Sequence, residues 1–354
     1  MLVRNNYDVH VFLPDASNEM VFDEGVCVHF VSNPAPRFSW WVNRLTPKPF
    51  RALTDIVVQL NRSYALAAAV RVHENQYGEF SLIQSCDYQF RGLFVALSKN
   101  RKHIIRCSWA RDVFEQVDGK RGLGPWVSAF LERLSMRRAD AVYAPSYFVA
   151  NHFHSRYSIP VKVCRPFPPP VVFDLHSLNL LRPAGVPGKY FFHFGQLCER
   201  KGTDLVLDIS DELRQEGVKI LIAGTPKDQK LFERIKCSDV VYLGALSRQE
   251  VMSYLLGSLC AILPSRADNL PNTAIESLML GVPVLTLSKN GVDEIVEDGV
   301  NGWVVPMGSK DGLSNVLRDI WCGNTRVRGP VQLPSDMSFD LTFSVFEENI
   351  NNCS

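Results

Sequence analysis

The stretch PSRADNLPNTAIESLMLGVPVL (Pro264–Leu285) decides the fold, because it joins two apolar runs through a polar loop and a helix. The first run ends at Pro264, and a helix is predicted from about Pro271, since proline suits the first position of a helix. Gly281 and Pro283 then turn the chain directly into the second run. A strand, a loop, a helix and a second strand in this order predict a parallel βαβ unit.

The same alternation continues through the C-terminal half. Ser247 and Glu250 form a capping box, which marks the start of one of the helices. Strands that are apolar throughout and alternate with helices are typical of a parallel sheet covered on both faces, so this half is predicted to be a doubly wound α/β domain. The predicted strands are 190–194, 219–224, 240–244, 260–265 and 282–287, and the predicted helices are 204–216, 227–235, 249–256 and 272–280.

The N-terminal half has a similar but weaker pattern. Its predicted strands are 9–14, 26–32, 80–85, 103–108 and 141–146, and its predicted helices are 55–72 and 127–138. The proline-dense segment Arg165–Phe173 cannot continue a helix or a strand and is predicted to be a hinge. The fold class is therefore predicted as α/β, with two Rossmann-like doubly wound domains facing across a cleft. The domains are predicted at 1–170 and 189–335, with a linker at 171–188 and a C-terminal helix or tail at 336–354.

The composition is that of a globular protein, with 46% hydrophobic and 21% charged residues among 354. No segment resembles a signal peptide or a membrane-spanning run, so a cytoplasmic location is expected. Residues 1–165 contain 21 Lys and Arg against 14 Asp and Glu, whereas the remainder is acidic. Residues 36–51 interleave four basic side chains with four aromatic ones, a pattern that suits the inner face of an anionic membrane. A solvated loop with buried tryptophans would show the same pattern.

The nine cysteines are spread along the chain without any CxxC pair, and their number is odd. Neither a disulfide framework nor a zinc site is therefore predicted. No recognised nucleic-acid-binding motif accompanies the basic residues, so no nucleic-acid partner is expected.

The first candidate site is HFGQLCERKGTDLVLD (His193–Asp208). A strand ends at Phe194, Gly195 opens a loop, and Arg200 and Lys201 precede a helix. Adjacent cations at a helix N-terminus, beside the carboxyl end of a parallel strand, form an anion site to which the helix dipole contributes. The predicted anion is a diphosphate, and the alternative is a solvated basic turn.

The second candidate site lies in the loop and helix that follow Pro264. Asp268 in the loop and Glu276 in the helix are eight residues apart. Glu276 interrupts an apolar helical run, and a carboxylate at a sheet edge needs hydrogen-bond donors because burying it unpaired is costly. The hydroxyl groups of sugars and riboses are such donors. A structural ion pair is the alternative.

Together, the two sites resemble the C-terminal domain of the retaining GT-B glycosyltransferases, in particular glycosyltransferase family 4 (glycosyl transferases group 1). The resemblance is close over about residues 189–320 and looser over 130–170. The matching segments are RKG (200–202), GALSRQEV (244–251), LPSRADNLPNTAIESLMLGVPVL (263–285) and GVDEIVEDGVNGWVV (291–305).

The resemblance implies a role for each matching residue. Lys201, with Arg200, binds the donor diphosphate, Glu276 binds the ribose, and Asp268 lies beside the transferred sugar as the catalytic carboxylate. The remaining donor contacts fall on Gly195, Asn269, Leu270, Asn272 and Thr273, and the segment Leu243–Leu246 faces the base. The resemblance also implies a metal-independent reaction without a cofactor, which fits the lack of an Asp-x-Asp motif because paired cations stabilise the leaving diphosphate.

Some positions depart from the family pattern. Asp268 stands where the family usually has glutamate, and Gln196 stands where many members have arginine. The opening strand and glycine-rich loop of the N-terminal domain are expected to be missing. The family often uses a histidine near the end of an N-terminal strand. In the corresponding segment Ile104–Asp112, Arg106 and Ser108 are the nearest polar candidates, and Arg106 is taken as the catalytic candidate.

The expected function is transfer of a hexose-type sugar from a nucleotide diphosphate sugar to a saccharide or a lipid-linked acceptor, as in polysaccharide biosynthesis. Two alternatives remain open. The first is a catalytically impaired protein that binds nucleotide sugars, and the second is a nucleotide-sugar epimerase on the same architecture.

Overall fold

The structure, a computed structural model, describes residues 2–15, 17–32, 51–98, 101–108, 111–117, 119, 122–168 and 187–351. It divides into two compact units. The first unit comprises Met1–Pro145, Val149–Pro166 and Phe339–Ser354, and the second comprises Ser146–Phe148 and Phe167–Ser338. The predicted membrane-contact patch and most of the predicted linker lie outside the described residues. Among the helices that the structure describes, none has the length and apolar character needed to cross a bilayer.

The first unit contains two sheets in its described part. Strands β1 (Val9–Asp15), β2 (Met20–Asp23) and β3 (Val26–Ser32) have the order β1-β3-β2, with β1 parallel and β2 antiparallel to β3. Four parallel strands form the second sheet in chain order: β4 (Ile83–Cys86), β5 (His103–Arg106), β6 (Ala141–Ala144) and β7 (Lys162–Val163). The predicted strands are confirmed, except that β4 begins at Ile83 and not at Phe80. Strands β2 and β7 were not predicted.

The helices of the first unit separate its strands. They are α1 (Arg51–Tyr77), α2 (Leu93–Ala96), α3 (Arg111–Val117), α4 (Leu123–Arg138) and α5 (Tyr147–Tyr157). The first two residues of α5 are grouped with the second unit, and the rest of the helix with the first. The two helices predicted here are confirmed as α1 and α4, and both are longer than predicted.

The described residues of the second unit form one parallel sheet of six strands together with its helices. Its strands are β8 (Phe191–Phe194), β9 (Ile220–Ala223), β10 (Val240–Tyr242), β11 (Ala261–Leu263), β12 (Val284–Leu287) and β13 (Gly302–Val305), in the order β10-β9-β8-β11-β12-β13. Its helices are α6 (Thr203–Glu212), α7 (Gln229–Cys237), α8 (Arg248–Leu256), α9 (Asn272–Met279) and α10 (Lys310–Cys322). A last helix, α11 (Phe339–Asn351), belongs to the first unit.

Apolar side chains cover both faces of this six-stranded sheet. Phe192 and Phe194 of β8 share one core cluster with Ile275 of α9. Phe191, which points to the opposite face because side chains alternate along a strand, shares the other cluster with Leu207 of α6. The predicted doubly wound α/β architecture is therefore confirmed.

The ends of two helices test the local predictions. Ser247 accepts a hydrogen bond from the Glu250 amide, and the Glu250 side chain accepts one from the Ser247 amide, so the predicted capping box is confirmed. The predicted start of α9 at Asn272 is confirmed. Pro271 has an extended backbone, with φ −70° and ψ 142°, and is the N-cap residue of the helix.

Candidate functional site

The strand order of the second unit creates a crevice between β8 and β11. From β8 the chain proceeds outward through β9 and β10, and it then crosses back to place β11, β12 and β13 on the other side of β8. The loops that leave β8 and β11 therefore diverge at their carboxyl ends. Such a switch point is where open α/β sheets bind ligands.

The backbones of the loops after β8 and β9 approach each other closely at this edge. Gly195 ends β8 with φ +113°, and Gly224 ends the neighbouring β9 with φ +141°. A β-carbon on Gly224 would lie 1.8 Å from the carbonyl oxygen of Gly195. Only glycine fits here, since a side chain would separate the two loops.

An ion pair lies on the β11 side of β8. Lys201 Nζ is 2.5 Å from Oδ2 of Asp268, and the Ser265 hydroxyl donates a hydrogen bond of 3.1 Å to the same oxygen. The amide of Asn269 donates to Asp268 Oδ1 at 3.0 Å. The Asp268 side chain is only 9% exposed, so these donors replace the water that a buried carboxylate loses. The structure thus brings together the predicted diphosphate cation and the predicted catalytic carboxylate.

Arg200 lies inside the protein beside the same loop. It is buried, its Nη1 donates to the Ala267 carbonyl at 3.2 Å, and its own carbonyl accepts from the Arg266 amide at 2.8 Å. These contacts tie the loop after β8 to the loop after β11. The predicted contact of Arg200 with a diphosphate stays a prediction.

A cavity of about 720 Å³ opens on the other side of β8. The loops after β8, β9 and β10, the first turns of α8 and the exposed face of α9 line it. Three predicted site residues contribute: Gly195, Thr273 and Glu276. Its volume is within the range of small-molecule sites, which is about 300–1,000 Å³.

Glu276 is the carboxylate of this cavity. Its Oε1 accepts a hydrogen bond of 3.1 Å from Arg248 Nη2, and its side chain is 19% exposed. Burial raises the pKa of Glu276 above the ordinary value, while Arg248 acts in the opposite direction. Further hydrogen-bond donors, such as the hydroxyls of a sugar ring, would stabilise the carboxylate here.

The N-terminal end of α9 lies between the ion pair and the cavity, and it carries the other predicted donor contacts. Leu270 is buried and adopts the left-handed conformation with φ +54°, a conformation that costs about 1–2 kcal/mol for a residue with a side chain. Asn272 and Thr273 form the first turn of the helix, where backbone N–H groups lack helical partners and attract anions.

Arg106 belongs to the first unit. It ends β5 at the carboxyl edge of that sheet and its side chain is exposed. Its predicted part in catalysis stays a prediction.

The prediction from sequence missed several residues of the cavity. Arg248 lies in a segment that carries the family resemblance, but its pairing with Glu276 depends on how α8 packs beside α9. Lys227 and Thr225 follow β9 directly, and their position after a buried strand was the signal that could have identified them. The missed cavity residues include Thr225, Lys227, Arg248 and Met252, whereas Leu246 belongs to the segment predicted to face the base.

A protein-family model matches the part of the chain that contains this site. Residues 188–322 match the family model described as Glycosyl transferases group 1. The chain is 28% identical over 138 residues to a putative colanic acid biosynthesis glycosyltransferase, WcaL, of Salmonella typhimurium, covering 35% of this chain and 34% of that protein. It is 25% identical over 162 residues to the amylovoran biosynthesis glycosyltransferase AmsK of Erwinia amylovora, covering 42% and 40%. The chain thus spans about a third of the length of several of the curated relatives that it matches.

Solved structures establish the fold. Sucrose-phosphate synthase of Thermosynechococcus elongatus superimposes with a TM-score of 0.70 at 15% identity, over 99% of this chain and 88% of that one. Anabaena HepE, in complex with UDP and glucose, gives a TM-score of 0.65 at 16% identity, over 96% and 99%. The fold is therefore that of the GT-B glycosyltransferases, and the GT-B part of the predicted resemblance is confirmed. The narrower assignment to glycosyltransferase family 4 stays a prediction.

Proposed function

We propose that the protein is a retaining, metal-independent glycosyltransferase that moves a hexose-type sugar from a nucleotide diphosphate sugar to a saccharide or lipid-linked acceptor. One observation carries the proposal. The cavity containing Glu276 and the ion pair of Lys201 with Asp268 lie on opposite sides of β8, at one switch point of one sheet. A nucleotide sugar would place its nucleoside in the cavity and its sugar beside the ion pair.

The cavity is the proposed nucleoside subsite. Leu246 and Met252 offer apolar surface to a flat base, and Glu276 offers acceptor oxygens to the ribose hydroxyls. Hydrogen bonds to an ionised group in a partly buried position contribute about 1.5–3 kcal/mol each. This assignment is supported by the UDP that HepE, a protein of the same fold, binds.

The diphosphate is proposed to lie over the end of β8, against the first turn of α9. The helix dipole and the free N–H groups favour an anion there. Lys201 supplies a full positive charge on the adjacent loop. These fixed groups stabilise the charge that develops on the leaving diphosphate, which is the task that a divalent cation performs in other transferases.

The sugar is proposed to lie beside Asp268 and Ser265. Asp268 is one methylene shorter than the glutamate usual in the resembling family. Its carboxylate is held by Ser265 and the Asn269 amide, and this rigid support suits a group that must orient sugar hydroxyls.

The test is a transfer assay on the purified chain. Release of nucleoside diphosphate is measured with a panel of UDP, GDP, ADP and dTDP sugars, with saccharide and lipid-linked acceptors. Lys201→Ala is expected to lower kcat/KM by at least about 100-fold, since a group that stabilises transition-state charge contributes about 3–4 kcal/mol. Glu276→Ala is expected to lower it by about 10–100-fold, since hydrogen bonds to an ionised group contribute about 1.5–3 kcal/mol. Lys236→Ala, an exposed lysine on α7, is the matched control and is expected to leave the rate unchanged.

The two alternatives give different results in the same assay. A binding protein without activity gives calorimetric binding of a nucleoside diphosphate, but neither transfer nor donor hydrolysis. An epimerase changes the sugar of the donor without any acceptor. Rates like wild type in both the Lys201 and the Glu276 variants would reject the placement of the donor.

A further inference from the structure

Three histidines and a cysteine meet in the first unit, far in sequence from the proposed donor-binding residues. His10 lies on β1, Cys27 and His29 lie on β3, and His73 lies on α1. In the parallel pairing of β1 with β3, His10 is directly opposite Cys27, and His29 is two residues further along. Residues two apart on a strand point to the same face, so the three strand residues share a face of the sheet.

Their donor atoms converge. His10 Nδ1 is 2.8 Å from His29 Nε2, and Cys27 Sγ is 3.3 Å from the same nitrogen. The three atoms all lie within 4.8 Å of one another. Tetrahedral zinc, with bonds of about 2.0–2.3 Å, separates its ligand atoms by about 3.3–3.6 Å. The separations of 2.8 and 3.3 Å are near these values, so small side-chain movements bring His29 Nε2 to ligand distance from both partners.

His73 lies beside this set on the helix, but its ring nitrogens are not among the three atoms that converge. Its ring centroid is 4.4 Å from that of His10 and 5.4 Å from that of His29. Its Nδ1 is buried and has no hydrogen-bond partner in the part of the chain that the structure describes. A buried polar atom without a partner costs free energy, and a metal ion would give this nitrogen a bond.

An outer carboxylate orients the first ligand. Asp8 Oδ2 lies 3.2 Å from His10 Nε2. A neutral imidazole carries one N–H, so donation of Nε2–H to Asp8 leaves Nδ1 with a lone pair directed at Cys27 and His29. A carboxylate behind a ligating histidine is the usual outer shell of a zinc site, where it fixes the tautomer.

We propose that His10 Nδ1, Cys27 Sγ and His29 Nε2 form a structural zinc site, and that metal binding draws in the neighbouring His73 as the fourth ligand, which ties β1 and β3 to α1. Four nitrogen and sulfur ligands with no open position are typical of structural zinc and not of catalytic zinc. The site lies outside the donor-binding residues and does not depend on the proposed function. The apolar rings of Phe12 and Phe80, which stack against His29 and His73, limit the access of water to it.

Metal binding by this set must displace the thiol proton of Cys27, because the thiolate is the zinc ligand. Binding is therefore expected to weaken as the pH falls.

Cobalt substitution tests the site directly. The full chain is stripped with a chelator and titrated with Co²⁺, which reports tetrahedral coordination by its visible d–d bands and a thiolate ligand by a near-ultraviolet charge-transfer band. One equivalent of Co²⁺ is expected to produce both, and one equivalent of Zn²⁺ to remove both. Cys27→Ser is expected to abolish the thiolate band. Cys164→Ser, a half-buried cysteine of the same unit, is the matched control and is expected to keep it.

X-ray absorption of the zinc-loaded wild-type protein provides a measurement that needs no variant. The expected first shell contains one sulfur and three nitrogens. A shell without sulfur, one with several sulfurs, or a protein that binds no stoichiometric metal would overturn the proposal. So would a thiolate band that persists in folded Cys27→Ser, and the four residues would then be a packed histidine and aromatic cluster.

Discussion

Lys201 Nζ lies 2.5 Å from Oδ2 of Asp268, so the cation assigned to the diphosphate and the carboxylate assigned to the sugar bind each other. Both side chains are largely buried, and the pair is therefore weakly screened by solvent. A donor that binds with its diphosphate near Lys201 must share this cation with Asp268. The carboxylate accordingly competes with any nucleoside diphosphate that lacks a sugar.

This competition predicts opposite effects of two substitutions. Asp268→Asn removes the competing charge and is expected to tighten binding of the free nucleoside diphosphate by about 3–10-fold, or about 0.7–1.4 kcal/mol, because the Lys201 cation is then shared with no carboxylate. Lys201→Ala is expected to weaken it by about 10–100-fold. Isothermal titration calorimetry at fixed ionic strength measures both.

The control separates local from general charge effects. Asp208→Asn removes an exposed carboxylate of the same unit, one paired with Arg234, and is expected to change the affinity by less than twofold. Weaker binding in Asp268→Asn would show that this carboxylate does not compete for Lys201.

Glu276 gives a second prediction, which compares the binding of two ligands in the wild-type protein and in two variants. If its carboxylate binds the ribose hydroxyls, the wild-type protein should prefer a nucleoside diphosphate to its 2′,3′-dideoxy analogue by about 10–100-fold. Glu276→Gln should reduce this preference to less than about threefold, because the two changes remove the same hydrogen bonds. Glu233→Gln, on exposed α7, should keep the full preference. Equal preferences in all three proteins would place the ribose elsewhere.

Two glycines with positive φ allow the loop geometry to be tested. A β-carbon at Gly224 would collide with the Gly195 carbonyl. Apart from its two neighbours in the chain, no described residue has an atom within 4 Å of a β-carbon placed at Gly217. Gly217→Ala is expected to lower the free energy of unfolding by about 1 kcal/mol through the left-handed backbone alone. Gly224→Ala is expected to cost at least about 3 kcal/mol, because strain and overpacking add. Thermal unfolding compares the two variants, and equal losses would mean that the loops after β8 and β9 are not in close contact.

The second unit was predictable because its strands are buried on both faces. The four residues of β8 and the four of β9 are all buried, and short apolar runs that alternate with helices are typical of strands in a covered parallel sheet. Strand β2 was missed for the opposite reason. Its apolar run, Met20–Phe22, has only three residues, and all four residues of the strand are exposed, so the strand is held by pairing with β3 and its pattern was too short to predict it.

The candidate site was predictable in part. Glu276 could be identified because a carboxylate in an apolar helical run is unusual, but its partner Arg248 could not, since an ion pair between two helices depends on tertiary packing. The cluster of His10, Cys27, His29 and His73 shows the same limit. Its members come from two strands and a helix at irregular separations, and the spacing rules that identify zinc sites apply to ligands that are close in sequence.

Glu132 predicts a pH dependence of stability in the first unit. This residue of α4 is buried, and it accepts hydrogen bonds from Arg111 Nε at 2.9 Å and from the Gln89 amide at 3.0 Å. Burial raises the pKa of Glu132 to about 8, although Arg111 lowers it. In the unfolded chain a glutamate has a pKa of about 4.3.

The direction of this pH dependence follows from the number of protons that the folded and the unfolded states bind. Between about pH 4.3 and pH 8 the folded carboxyl holds a proton that the unfolded one has lost, so the free energy of unfolding falls as the pH rises through this range. Glu132→Gln keeps the acceptor oxygen and removes the titration. Relative to wild type, the variant should therefore gain stability by about 1 kcal/mol per pH unit from pH 5 to pH 8. Hydrogen exchange of the amides in Leu123–Arg138, compared between the two proteins at each pH, measures the difference in this unit alone. Glu79→Gln, at an exposed position of the same unit, should show no such trend, and a constant difference for Glu132→Gln would mean that Arg111 keeps the carboxylate ionised throughout.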